Sequence, residues 1–357
     1  MRTFKSIGLM SGTSMDGIDV ALLETDGETR VRPGAHAAVR YPSDLRQALM
    51  QLAAAPTSAP DLERQVTELQ ADAAQALCAR ENIDPAAIDV IGFHGQTIKH
   101  EPERARTWQL GAGQLMADLL RTRVVNNFRQ NDMDHGGQGA PLVPAYHRAL
   151  VRAQGIAEPI AVLNIGGVSN LTLIDGQELY ACDCGPGNAL IDDWVSAHCQ
   201  VPYDDRGSIA ASGQVSQAAL AKLLSAPYFA QVGPKSLDRN AFSPAPLQGL
   251  SPQDGAATLA AFTAAAIALE AQRLSARPNA WIVVGGGRLN DFLVDQLRRR
   301  LASPVAVAED FGWSGEAIEA QAFAYLAVRS VLALPLSWPS TTGVREPVSG
   351  GTHWSPT

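Results

Sequence analysis

Apolar residues in this chain fall into short runs that break at glycine, separated by longer stretches with helical spacing. Residues 161–163 form an apolar strand that enters a glycine turn at Gly166 and Gly167, and residues 170–174 leave it, which predicts a β-hairpin. A turn at Asp175-Gly176 leads into a third extended run ending at Asp183. There Gly185-Pro186-Gly187-Asn188 opens a helix carrying Ile191, Val195 and the acidic pair Asp192-Asp193. The N-terminus repeats this grammar with a strand at 7–10, a turn at 11–14, and a strand with Ile18, Val20 and Leu22 on one face. Two such units predict a pseudo-symmetric pair of α/β domains; chance recurrence of a common hairpin is the competing explanation.

Between and beyond them, residues 45–82 read as helix, split at 56–60. Residues 61–80 start on an acidic cap and align Leu62, Val66, Leu69, Ala73 and Leu77. Residues 87–93 predict a buried strand that delivers His94-Gly95-Gln96-Thr97 at its C-terminal end, where α/β sheets bind ligands. Strands at 107–110 and 124–127 flank a helix at 113–121. The charged run 128–132 and the glycines of 136–141 predict a domain junction bearing functional groups. Residues 203–213 form a polar loop, 215–224 a short helix and 233–239 a basic loop of the kind that is usually solvated. An alanine-rich helix at 254–274 precedes a strand at 280–284, and Gly285-Gly286-Gly287 then opens a helix ending near Arg300. A last helix spans 316–334, and the tail from Pro335 reads as coil.

Composition narrows the class. The 357 residues exceed one comfortable core, and 46% hydrophobic with 18% charged residues is a globular balance. A net charge of −8 offers no basic face for nucleic acid or an anionic membrane. The four cysteines contain no C-x-x-C pair and suit a reducing compartment. The N-terminus lacks the core of a signal peptide and no run of eighteen apolar residues occurs, so the expectation is a soluble, cytoplasmic protein.

The candidate chemistry gathers at the glycine turns. Glycine tips let backbone amides approach an anion, and a following helix start adds donors, so a phosphate there would leave Asp183 facing the reacting group. An ordinary turn with Asp183 as a helix cap explains the same residues. Likewise His94 reads either as a site residue or as a satisfied core histidine, and Glu316 and Glu319 as complements to a helix dipole. Strand, triple glycine and helix form an expected nucleotide cradle without Rossmann spacing, and the absence of any Gly-Lys dipeptide removes the P-loop.

Together, a glycine hairpin in each half and a strand–GGG–helix near the C-terminus resemble the phosphate-1, phosphate-2 and adenosine elements of the actin, sugar-kinase and Hsp70 superfamily. That resemblance implies two actin-like (RNase H-like) α/β domains with an ATP cleft between them: residues 1–130, with helix 316–334 packing back on them, and residues 131–357. Residues 8–23, 92–102, 136–147, 163–173 and 183–194 resemble the anhydro-N-acetylmuramic acid kinase family over nearly the whole chain. The resemblance implies an ATP- and Mg2+-dependent homodimer that phosphorylates O6 of 1,6-anhydro-N-acetylmuramic acid as water opens the bridge at C1, for cell-wall recycling.

Carried over by position, Asp183 matches the catalytic base. Gly12, Thr13, Ser14, Met15, Asp16, Gly17, Ile18 and Asp19 match the ATP loop; Gly166, Gly167, Gly285, Gly286 and Gly287 complete the nucleotide contacts. His94, Thr97, Arg129 and Glu319 lie in motifs lining the sugar site. Two departures stand out. Gln130 and Asn131 replace arginines common in the family, and Met10 stands where the superfamily usually has an aspartate, so no protein ligand for magnesium is named. A kinase for another sugar, and a nucleotide-driven binding protein like actin or Hsp70, are the alternatives. Asp183 and the polar run 94–97 favour a small-molecule enzyme over the latter.

Overall fold

The structure is a computed structural model that describes residues 2–12, 15–239 and 241–357. The chain divides into two compact units, Met1–Ile156 with Ala317–Thr357, and Ala157–Glu316. Unit 1 opens with β1 (Phe4–Ser11), β2 (Gly17–Thr25) and β3 (Val31–Arg40), an antiparallel meander. Helices α1 (Ser43–Ala54) and α2 (Pro60–Arg80) lead to β4 (Val90–Glu101), on which β5 (Arg106–Leu110) folds back. Then come α3 (Gly113–Leu120), β6 (Val124–Asn126), α4 (Gln130–Asp134) and α5 (Pro144–Ala153).

Unit 2 repeats the scheme with β7 (Ile160–Ile165), β8 (Val168–Asp175) and β9 (Glu178–Pro186). Helices α6 (Ala189–Cys199), α7 (Ser208–Ala211), α8 (Gln217–Leu224) and α9 (Pro252–Ala271) follow, then β10 (Trp281–Val284), α10 (Asp291–Arg300) and β11 (Val305–Val307). The chain returns to unit 1 through α11 (Ile318–Val331), α12 (Pro339–Thr342) and β12 (Thr352–Trp354). The sheet orders are β12-β6-β4-β1-β2-β3, with β5 beside β4, and β11-β10-β7-β8-β9. In each, an antiparallel trio continues into two parallel strands, so the duplication expected from the glycine hairpins is present.

Helix α11 belongs to unit 1 for a steric reason. Gly8 and Gly92 are register partners on β1 and β4, and a Cβ at either would overlap the carbonyl oxygen of Ala320 or Phe323. The helix backbone therefore rests directly on the sheet, with Ala320, Ala324 and Ala327 fully buried. In unit 2, α9 is long and apolar enough to cross a membrane, but it is the core helix, packed against β9, α6, α7, α8 and α10. Its alanines at 256, 257, 260, 261, 264 and 266 are fully buried, which lets those neighbours approach closely.

Several elements differ from the sequence expectation. The units divide at Ile156/Ala157 rather than at residue 130, because α4 and α5 stay tied to unit 1. Tyr146 of α5 donates to Gln321 of α11 at 2.8 Å. The run 128–141 is a folded turn: Asp132 accepts from the Gly139 amide and the Thr342 hydroxyl, both at 2.6 Å. The tail expected as coil contains α12 and β12; β12 pairs with β6, and Trp354 Nε1 donates to Asn126 Oδ1 at 2.9 Å. Helix α2 begins at Pro60, so Asp61 lies within its first turn and the cap is Ala59.

Candidate active site

Gly166 and Gly167 join β7 to β8 as expected, and the start of α6 folds under them. The amides of Gly187 and Asn188 donate to the carbonyls of Gly167 (3.0 Å) and Gly166 (2.7 Å). Those helix-start donors are therefore spent on the hairpin, not directed at an anion as the sequence implied. A Cβ at Gly187 would overlap the Gly166 carbonyl oxygen. One at Gly166 would meet nothing nearer than 3.9 Å, and one at Gly167 nothing nearer than 3.6 Å. Among the described residues, nothing in the packing calls for glycine at 166 or 167.

The triple glycine follows β10, but a 3-10 turn over Gly286–Leu289 intervenes before α10, which is capped by the Asn290 side chain on the Leu293 amide (2.9 Å). Gly285 has φ +74, and a Cβ there would press on the Ile165 carbonyl at 2.7 Å, while Gly286 is exposed. Arg288, not singled out in the sequence, braces this turn. It is buried, donates to the Gly285 carbonyl (3.0 Å) and Glu309 (2.7 Å), and lies 3.6 Å from Glu316.

Asp183 sits within β9, the edge strand of its sheet, with Cys182 and Cys184 fully buried on either side of it. A β-bulge falls next to it: Asn170 pairs with Asp183, and Ser169 with Gly185. Bulges re-aim side chains. The Asp183 amide donates to the Lys235 carbonyl (3.0 Å), its carbonyl accepts from Tyr228 Oη (2.7 Å), and its Oδ2 accepts from the Leu237 amide (2.7 Å). It is not a helix cap, since α6 starts at Ala189 with Asn188 before it. The segment 233–239, expected as a solvated loop, packs on this edge, with Lys235 buried.

In unit 1 the loop between β1 and β2 is anchored by Gln96, whose Nε2 donates to the Gly12 carbonyl at 2.9 Å and whose Oε1 lies 2.6 Å from Ser11 Oγ. Thr13 and Ser14 lie outside the described residues. Met15 and Ile18 are buried in the core of unit 1, so any contact they make with a nucleotide runs through their backbone. Gly17 is needed for the close approach of β3, as a Cβ would meet the Val39 carbonyl at 2.5 Å. Asp16 is exposed, and Asp19 pairs across from Met10.

The predicted sugar residues gather on β4 and its neighbours. His94, Gly95, Gln96 and Thr97 lie inside β4 rather than beyond it, where a bulge shifts the pairing from Leu9–Phe93 to Ser11–Gln96. His94 Nδ1 meets the Gly95 carbonyl at 2.8 Å and must carry the proton, because a carbonyl only accepts. Nε2 then accepts from Arg129 Nε (3.1 Å) and Nη2 (3.0 Å), while Arg129 Nη1 donates to the Gly139 carbonyl (2.8 Å). Burial first, and the Arg129 charge second, hold the His94 imidazole neutral, far below its ordinary pKa; the same causes bring His100 to about 4. His94 is thus both a buried, satisfied histidine and the acceptor that orients Arg129. Thr97 is half-buried further along β4, and Glu319 lies one helical turn before Phe323, whose ring packs 4.5 Å from His94. Gln130 and Asn131 turn to Asp134 and the Ser349 carbonyl.

Two sheets of one wiring, glycine turns after their first strands and a third after β10 define a duplicated α/β protein of two compact units. The fold is similar to that of (R)-2-hydroxyglutaryl-CoA dehydratase component A from Acidaminococcus fermentans, with a TM-score of 0.50 at 12% identity, covering 91% of this chain and 99% of that one. The chain belongs to the anhydro-N-acetylmuramic acid kinase family, whose model matches residues 4–356. Relatives of that description are 50% identical in Azorhizobium caulinodans (99% of this chain, 100% of the relative) and 49% identical in Rhodospirillum rubrum (98% and 94%).

Proposed function

We propose that the protein is an ATP-dependent kinase that opens the 1,6-anhydro ring of anhydro-N-acetylmuramic acid with water and phosphorylates O6, giving N-acetylmuramic acid 6-phosphate and ADP for peptidoglycan recycling. Membership of the family supports the substrate. The observation that carries the mechanism is Asp183, fixed in β9 with Oδ2 on the Leu237 amide. An ionised carboxylate can take a proton from a water hydrogen-bonded to it. As the water attacks C1, the C1–O6 bond breaks, Asp183 takes the proton, and O6 attacks the γ-phosphate to release ADP.

In this reading the Gly166-Gly167 tip, whose Gly166 amide already donates to the Val168 carbonyl at 3.1 Å, brings the Gly167 amide to the phosphates together with the 12–19 loop. Gly285–Gly287 meet the adenosine, and His94, Thr97, Arg129 and Glu319 bind the sugar. Among the described residues no group of three or more His, Cys, Asp or Glu is placed to hold a metal. In this reading magnesium enters as MgATP, held largely by phosphate oxygens, water and carboxylates. The same reading makes the protein a cytoplasmic homodimer of two actin-like domains.

The test is turnover of the anhydro-sugar with MgATP in 18O-water. One 18O at C1 and none in the O6–phosphate bridge is the expected product. Phosphoryl transfer to other sugars but not to the anhydro-sugar would overturn the substrate.

A further inference from the structure

We propose that Lys235, ion-paired with Glu270, is a positioning residue that sets the Asp183 carboxylate through the 235–237 segment and through Tyr228. This rests on Asp183 acting as the base, as proposed above. As an edge strand, β9 presents backbone groups that its sheet leaves unpaired. The 235–237 segment takes up that edge at Asp183, in the pattern of a parallel ladder with Ser236 opposite: the Asp183 amide donates to the Lys235 carbonyl. The ladder would next send the Leu237 amide to the Asp183 carbonyl. That carbonyl instead accepts from Tyr228 Oη at 2.7 Å, and the Leu237 amide donates to Oδ2, also at 2.7 Å. The side chain is thereby drawn into the ladder and its rotamer is set.

What holds the segment is Lys235. Its side chain is 5% exposed, and Nζ donates to Glu270 Oε2 and the Gln231 carbonyl, both at 3.1 Å, while lying 4.4 Å from the centre of the Tyr228 ring. Glu270, at 2% exposed, also accepts from Arg273 (3.0 Å) and from Tyr180 Oη (3.4 Å). One ammonium thus fixes two groups that grip Asp183: the segment carrying Leu237, and the ring carrying the Tyr228 hydroxyl. A buried ion pair adds little net stability over a packed apolar pair, so its contribution here is geometric.

The experiment places Lys235→Met and Tyr228→Phe each on the natural chain and on Asp183→Asn. Misplacing a reacting group by about 1 Å costs up to roughly 100-fold, so Lys235→Met should lower kcat roughly 10- to 100-fold. The KM values for ATP and sugar should stay within about 2-fold, since the loss falls on the transition state. On Asp183→Asn the same change should cost nothing further, because residues acting through one group are not additive. An equal loss in both backgrounds, a loss in KM alone, or unchanged turnover would overturn the proposal. Tyr228→Phe removes one hydroxyl and no buried charge, so it gives the same reading, with a smaller loss, where Lys235→Met does not fold. Normal turnover in Asp183→Asn alone would overturn the base assignment, a different failure from additivity.

Discussion

Arg129 grips His94 with two of its donors, Nε at 3.1 Å and Nη2 at 3.0 Å, against a single imidazole nitrogen. The arrangement requires a neutral ring, which burial and the guanidinium charge both enforce. A lysine would keep the charge but lose the planar fork. Arg129→Lys should therefore raise the KM for the sugar about 10-fold, the equivalent of one charged hydrogen bond, with the KM for ATP unchanged. Steady-state kinetics with each substrate varied would check this; a shift in the ATP constant alone would remove Arg129 from the sugar site.

Asp183→Asn keeps the size of the side chain and an oxygen for the Leu237 amide, but it cannot take a proton from water. Turnover should fall by about 10² to 10⁴. Binding of ATP and sugar, followed by calorimetry, should change far less. Because Asp183 lies inside β9, the near-equal capping power of asparagine and aspartate offers no other account of the result.

Two glycines separate ligand binding from folding. Gly166 has open space where a Cβ would stand, so Gly166→Val should fold with little change in Tm yet weaken ATP binding by roughly 10-fold or more, through amides it no longer lets a phosphate reach. Gly187 lies against the Gly166 carbonyl, and Gly187→Ala should cost roughly 1–3 kcal/mol of stability from overpacking. Nucleotide titration and thermal melts distinguish the pair; equal affinity in a folded Gly166→Val would sink the phosphate assignment.

Acid stability follows from buried neutral histidines. In the folded state the pKa of His94 is well below the ordinary 6.5, that of His100 is about 4 and that of His147 about 3, each lowered chiefly by burial. The unfolded chain takes up these protons below pH 6.5 while the folded chain does not. The stability is therefore present above pH 6.5 and lost as pH falls toward the folded values. Each group contributes up to about 1.4 kcal/mol per pH unit, while Asp192, its carboxyl raised to about 7 chiefly by burial, works in the opposite sense. Urea unfolding at pH 5.5 should therefore show roughly 2 kcal/mol less stability than at pH 7. A replacement of His147 by Gln should remove roughly 1 kcal/mol of that difference. Equal stability at both pH values would contradict the burial of all three.

The two hairpins, the triple glycine and the long helices were legible because their signals are local. Turn residues, strand alternation and helical spacing act within a few residues, and glycine marks where a backbone must come close. Asp183 was legible as a candidate for the same reason. His94 was visible too, as one of two readings, but the bond from Arg129 to its Nε2 was not.

The remainder depends on partners distant in the chain. Nothing around Thr352–Trp354 announces a strand, because its ladder is supplied by β6. Residues 316–334 read as a helix, but its seat on Gly8 and Gly92 comes from the meeting of three backbones. The basic run at 233–239 looks like a solvated loop in isolation; Glu270 and Tyr228 bury its lysine, and the open edge of β9 gives its amides and carbonyls somewhere to go. Local chemistry chose the elements and the candidate carboxylate. The grip on that carboxylate had to await folding, because hydrogen bonds and ion pairs between segments exist only once the chain has brought them together.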